Sequence, residues 1–393
     1  MQINSINGGI TAVEGVKAAG IKKGKYGLAL ISGGGTAACV YTKNSFKSGS
    51  LLVTNEHIAR SGICNAVIIN SGCANAFTGD EGIRDAEKIC KMVAQHLKIS
   101  PETVLIASTG VIGVRLDIDL ILSEFNLIKD KLDSSPDASS MVAEAIMTTD
   151  THPKEVAVEI RGSNGFVIGG VAKGSGMIAP DMATMLAFIY TDAALDHKTL
   201  QAALREAVNH SFNMTVVDGD MSTNDMVLLV STGRRSNVAI TEFQAALSHV
   251  CESLAKMIAA DGEGATKLIE VMVRGAVTKE DATKAVKTIL RSPLVKTAIF
   301  GGDPNWGRIA SAIGYSGARV QEDKLSIELA GGGLTASVLY QGKARNEMDV
   351  ASRIFDENEI QILVDIGLGD EEAKGWGCDL SYEYVRINAE YTT

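Results

Sequence analysis

Among the six cysteines there is no CxxC pair, and among the six histidines no HxxxH or HExxH spacing. These absences argue against both a zinc site and a disulfide framework, so no metal is expected and Cys39, Cys64, Cys73, Cys90, Cys251 and Cys378 read as reduced, mostly buried thiols. Long apolar runs are missing too. The best of them, at 67–69 and 227–230, end far short of the roughly 20 residues a membrane span requires. The first nine residues carry neither a basic segment followed by an apolar stretch nor an Arg-rich amphipathic pattern, which leaves a cytoplasmic location as the expectation. Lys and Arg number 37 against 47 Asp and Glu, a net charge of −10. The basic residues form no patch able to neutralise a run of phosphates, so nucleic acid is a poor candidate partner.

What the chain does hold is apolar residues and glycine. With 46% hydrophobic residues in 393, it can bury a large core, and its length alone predicts two or three structural units. Forty glycines against six prolines, set between short β-branched runs, predict many strands joined by tight turns and interleaved with helices. The class is α/β or α+β. Strands are expected at 66–70, 103–108, 184–191, 226–232, 270–277, 325–329, 359–366 and 382–391. Between them, Ile83, Ala86, Cys90, Val93 and Leu97 form one apolar stripe on a helix over 81–97. Thr241 and Gln244 read as a capping box opening a second helix, whose buried face is Phe243, Leu247, Val250, Leu254 and Ile258. Asp196 reads as the cap of a third, with Leu200, Leu204 and Val208. No short repeat or low-complexity linker interrupts the chain.

Residues 172–192 carry the chemistry. The first half is small and turn-prone, and the second, from Thr184, is an apolar run too unbroken for an exposed strand. A loop therefore runs straight into a core strand, with Thr184 at the junction. On its own a threonine there reads as a β-branched residue opening a strand. A cut before it would free an α-amine beside a hydroxyl held by a rigid element. Such an amine titrates near about 7.7–8.0 and accepts the hydroxyl proton at neutral pH, so one residue supplies both nucleophile and base.

Several words along the chain carry a resemblance. They are Asn70-Ser71-Gly72-Cys73-Ala74-Asn75-Ala76, Ser108-Thr109-Gly110-Val111-Ile112-Gly113, Thr148-Thr149-Asp150-Thr151, Lys173-Gly174-Ser175-Gly176-Met177-Ile178-Ala179-Pro180 and Ala183-Thr184-Met185-Leu186. Val217-Asp218-Gly219-Asp220-Met221-Ser222-Thr223-Asn224-Asp225, Asp303-Pro304-Asn305-Trp306-Gly307-Arg308 after Gly301, and Asn388-Ala389-Glu390-Tyr391-Thr392-Thr393 follow in order. Together they resemble the ornithine acetyltransferases of arginine biosynthesis, also called glutamate N-acetyltransferases, some of which are bifunctional with N-acetylglutamate synthase. The first forty residues match more loosely.

The resemblance implies a cut between Ala183 and Thr184, giving an α chain of 1–183 and a β chain of 184–393 that stay together as a heterotetramer. It implies that Thr184 carries the acetyl group as an ester and that Thr109 and Gly110 form the oxyanion hole, where a preset donor contributes about 2.7–4 kcal/mol. Thr148, Lys173, Thr184, Glu263, Asn388 and Thr393 are implied as substrate contacts. We pair Lys173 with a substrate carboxylate and Glu263 with an ammonium. N-acetylornithine and glutamate are the implied substrates, with no cofactor and with acetyl-CoA a second donor in bifunctional members. The implied fold is the DmpA/ornithine-acetyltransferase sandwich of helices over stacked sheets, similar in chemistry to N-terminal-nucleophile hydrolases.

The nearest alternative is a self-cleaving aminopeptidase or amidase of the same architecture. A nucleotide-binding kinase is a second, from Gly33-Gly34-Gly35-Thr36 and Gly331-Gly332-Gly333, but neither cluster has the GxxxxGK[ST] arrangement and both read as turns. A non-catalytic interaction protein is the third.

Overall fold

A computed structural model of the protein describes residues 2–162, 164–179 and 185–390. Its strands begin with β1 (Ile3–Ile6), β2 (Lys17–Lys23), β3 (Tyr26–Tyr41), β4 (Ile63–Cys73) and β5 (Val104–Val111). There follow β6 (Lys154–Ile160), β7 (Phe166–Lys173), β8 (Leu186–Ala193), β9 (Thr215–Val216) and β10 (Met226–Arg235). The last are β11 (Leu268–Ala276), β12 (Ser326–Gly331), β13 (Leu334–Tyr340), β14 (Lys343–Ala344), β15 (Glu359–Asp365) and β16 (Glu371–Cys378). Nine of them form one mixed sheet in the order β1-β6-β7-β8-β10-β3-β4-β5, with β2 paired to β3. Seven form a second, in the order β14-β13-β12-β15-β11-β16-β9. The α/β class expected from the glycine and β-branched pattern is the one observed.

A helix shared by the two sheets explains how they stack. Ile240–Ala260 packs on β6 and β7 of the first sheet and on β11 and β16 of the second. Its expected stripe, Phe243, Leu247, Val250, Leu254 and Ile258, is buried, and each such side chain contributes roughly 1.5–3 kcal/mol on leaving water. The Phe243 ring meets Phe166 of β7 at 5.8 Å. On the first sheet's β5, the helix Gly79–Leu97 buries Ala86, Cys90 and Val93 as its spacing predicts. Asp196 caps the helix His197–Asn209 by accepting the Thr199 amide at 3.0 Å. All six cysteines are free and buried, and burial pushes their thiols up.

Three expectations need correction. Residues 382–391 were expected as a strand, but Tyr382–Glu390 is a helix. Its side chains pair at helical spacing, Arg386 with Glu383 and Asn388 Nδ2 with the Tyr384 carbonyl, and the alternation of tyrosines at 382 and 384 misled because the outer face is exposed. Gly33 to Thr36 is not a turn but the middle of β3, where the register shifts between Ser32 and Gly35. A Cβ on Gly35 would stand 1.8 Å from the Ser231 carbonyl oxygen, so the glycine serves close strand approach. Thr241 lies inside its helix, which starts at Ile240 with Ala239 as an N-cap that supplies no side-chain bond. Gln244 instead donates to the Ala203 carbonyl and Ser248. Gly332 and Gly333, by contrast, do form the turn expected of them, joining β12 to β13 with φ of 55° and 78°.

The strand at 184–191 matters most for the site. β8 lies in the interior of the large sheet, antiparallel to β7 and parallel to β10, with all of its residues buried. β8 is thus held on both sides, and Met185 leads directly into it.

Candidate active site

The strand register brings the separate words together. Lys173, the last residue of β7, is paired with Leu186 of β8, and Leu186 is paired on its other side with Met226 of β10. Met185, one residue before that pairing, stands between the segment that follows Lys173 and Asp225, which accepts its amide. Ala183, Thr184 and Thr393 lie outside the described residues.

Lys173 is buried at 2% exposure, and its ammonium donates to Thr148 Oγ1 at 2.8 Å, joining two of the expected substrate contacts. Behind them sits a buried ion network. Asp150 accepts the Thr148 amide at 3.0 Å, the Gly174 amide at 2.7 Å and Lys154 Nζ at 2.8 Å, with Lys173 Nζ 3.9 Å away. Lys154 also reaches Asp261. Burial favours a neutral Asp150, but the ammoniums of Lys173 and Lys154 outweigh it and hold the acid below the usual carboxylate range. For Lys173 the balance runs the other way, and burial lowers its pKa despite Asp150.

Asp261 carries the network to the second expected pair. Its carbonyl accepts Ser175 Oγ at 2.7 Å, and the Glu263 amide donates to the Ser175 carbonyl at 2.9 Å. The Glu263 loop is thereby seated on the Lys173-Gly174-Ser175 segment, and Asn388 Nδ2 donates to Glu263 Oε2 at 2.8 Å. Asn388 was expected on a strand; it stands on the helix Tyr382–Glu390, which is pinned nearby by Tyr384 donating to Asp218 at 3.3 Å. Asp218 also accepts the amides of Met177 and Ile178 at 2.6 and 2.9 Å.

The expected oxyanion residues close the other wall. Gly110 lies near the end of β5 with φ of +131°, and a Cβ there would stand 2.3 Å from the Gly72 carbonyl carbon of β4, so only glycine suits this position. Asn224 Nδ2 donates to the carbonyls of Ser108 and Ala74, both at 2.7 Å. Its neighbour Asp225 accepts the Met185 amide at 3.0 Å. One dipeptide thus ties the Thr109–Gly110 end of β5 to the start of β8. The Thr109 hydroxyl has no hydrogen bond to another described residue.

Of the expected residues, Thr148, Lys173, Glu263 and Asn388 form one linked cluster, and Thr109 and Gly110 are tied to the same strand end. Sequence reasoning assigned no role to Asp150, Lys154, Asp218, Asn224, Asp225 or Asp261. All but Lys154 and Asp261 stood within the matching words, which was the available signal. Among the described residues no three His, Cys, Asp or Glu side chains converge as a metal group, and no helix is long and apolar enough to cross a membrane.

The cluster defines a class: a buried ammonium and a half-buried carboxylate on linked segments, beside a glycine-bearing strand end. Comparison with known proteins is specific. The profile of the ArgJ family matches residues 13–393. A glutamate N-acetyltransferase of Methanosarcina acetivorans is 50% identical over 397 aligned positions, covering 100% of both chains. The arginine biosynthesis bifunctional protein ArgJ of Oceanobacillus iheyensis is 45% identical, covering 98% of this chain and 97% of its own. A crystal structure of the bifunctional protein ArgJ from Bacillus halodurans is 44% identical with a TM-score of 0.47, covering 51% of this chain and 96% of its own. The protein belongs to the ArgJ family.

Proposed function

We propose that this protein cuts itself between Ala183 and Thr184 and then transfers an acetyl group from N-acetylornithine to glutamate through an ester on Thr184. The observation that carries this reading is the pair of opposite charges, Lys173 with Thr148 and Glu263 with Asn388, held beside the Met185 end of β8. An amino acid offers a carboxylate and a nitrogen to just such a pair. The names of the relatives, glutamate N-acetyltransferase and arginine biosynthesis bifunctional protein, support the same substrates.

In the proposed reaction the freed Thr184 amine takes the hydroxyl proton as the oxygen attacks the acetyl carbonyl. Negative charge then develops on the carbonyl oxygen, where Thr109 and Gly110 at the end of β5 supply donors. The C–N bond to ornithine breaks, the proton passes from the Thr184 ammonium to the leaving nitrogen, and the acetyl ester remains. Glutamate enters the vacated pocket and its amine attacks the ester, returning the hydroxyl. Acetyl-CoA serves as a second donor if its thiol leaves in place of ornithine. The two chains stay associated as a heterotetramer.

The test is steady-state kinetics with both substrates. Parallel double-reciprocal lines at several fixed glutamate concentrations are expected. Intersecting lines, with no acetylated chain in the presence of N-acetylornithine alone, would mean direct transfer and end the covalent role of Thr184. Acetate release at the same rate with and without glutamate would indicate an amidase instead.

A further inference from the structure

Asp225 has a geometry that its place in the turn before β10 does not require. It is wholly buried at 0% exposure. Oδ1 accepts the Met185 amide at 3.0 Å, the amide that follows Thr184 in the chain. The backbone reinforces the clamp, with the Met226 amide donating to the Met185 carbonyl at 3.2 Å and the Thr42 amide donating to the Asp225 carbonyl at 3.0 Å. Oδ2 is buried and has no hydrogen-bond partner among the described residues.

A carboxylate buried in this way needs a dedicated cation. The cation acting on it is Lys173 on β7, but Lys173 donates to Thr148 and is shared with Asp150, and Glu263 also acts on it. From the end of β3 and from the 222 turn, Thr42 and Ser222 offer hydroxyls only. Burial therefore dominates and pushes the Asp225 carboxyl up to about 8.

We propose that Asp225 is the positioning residue of the nucleophile, with Oδ1 fixing the peptide that carries Thr184 and the buried acid leaving the neighbouring amine uncharged. This rests on the reading of Thr184 as an N-terminal nucleophile. An ionised carboxylate on the peptide next to the new α-amine would favour its ammonium form, which has no lone pair to take the hydroxyl proton. A neutral carboxyl anchors the strand end without that penalty. The proton moves from the Thr184 hydroxyl to the Thr184 amine, and Asp225 neither gains nor loses one.

The experiment compares wild type, Asp225→Ala and Asp225→Asn for self-cutting by intact mass, for kcat and KM with N-acetylornithine and glutamate, and for the pH profile of kcat/KM. Asp225→Ala, which drops the Met185 bond, is expected to lower the cutting rate or kcat by about tenfold or more, with KM nearly unchanged because Lys173 and Glu263 are untouched. Asp225→Asn keeps a carbonyl oxygen for Met185 and no charge, so it is expected to restore most of that loss. Its acid limb should stay with that of wild type, near the ordinary α-amine range of about 7.7–8.0. Full kcat in a cut Asp225→Ala would overturn the proposal. So would an acid limb that Asp225→Asn moves down by about a unit or more, which marks an ionised carboxylate in the wild type. Thr184→Ala separates the two readings: cutting and activity in that variant would defeat the Thr184 nucleophile itself, whatever Asp225 does.

Discussion

Lys173 shows how burial turns a flexible side chain into a fixed charge. Its stem is enclosed, Thr148 takes one of its donors and Asp150 stands 3.9 Å away, so in the proposed reaction it would meet a substrate carboxylate without further ordering cost. Lys173→Ala should raise KM for the acetylated amino acid by about 10–100-fold, the loss of one charge-assisted bond held in ground and transition states alike. A large fall in kcat with KM unchanged would contradict the assignment. Asp225 predicts a pH effect on stability. Its folded value, about 8, lies above its unfolded one, so its contribution is fully present below pH about 4 and is lost as pH rises through about 8. Asp225→Asn removes that dependence, and its Tm relative to wild type should climb between pH about 4 and 8 and level off above. A constant difference across that range would mean the carboxyl is already ionised in the fold.

At the scale of elements, β6, the loop after β7 and the loop after the helix Ile240–Ala260 are joined by Asp150, Lys154 and Asp261. Removing the cation leaves two buried carboxylates facing each other. Lys154→Met should cost about 3–5 kcal/mol, read as a lower denaturation midpoint; a cost below about 1 kcal/mol would show that the network holds nothing in place. Asn388 is the opposite case, an exposed residue on the helix Tyr382–Glu390. Asn388→Ala should change stability by less than about 0.5 kcal/mol while raising KM, and equal loss of both would mean the helix depends on it.

These elements also mark where the sequence was legible. β8 and β10 announce themselves by apolar runs, β11 by alternating buried residues, and the helix Ile240–Ala260 by its five-residue stripe, because burial leaves a trace in the sequence. The helix Tyr382–Glu390 has no buried residues and therefore no such trace. The glycines of β3 resemble a turn because their reason is a neighbouring carbonyl far away in sequence. Thr148, Lys173, Glu263 and Asn388 could be named only through the family resemblance, since 125 positions separate Glu263 from Asn388. Asp150, Lys154, Asp261 and Asp225 passed without a role for a related reason: their work is to hold other residues, and that is visible only in three dimensions.

For the whole molecule, β8 has a consequence for the proposed cut. It lies between β7, from the segment before Thr184, and β10, from the segment after it. Two chains so interleaved cannot part without exposing the interior of the sheet, so 1–183 and 184–393 should co-elute in native gel filtration and separate only in denaturant. Separation under native conditions would mean that the ladder between β7 and β8 is not intact after cutting. The most direct measurement of the account is intact mass of the purified protein after incubation with N-acetylornithine alone. The expected result is two pieces, the second beginning at Thr184 and heavier by one acetyl group, with Thr184→Ala remaining one unmodified chain. A single uncut wild-type chain, or an acetyl group on any piece that does not begin at Thr184, would contradict it.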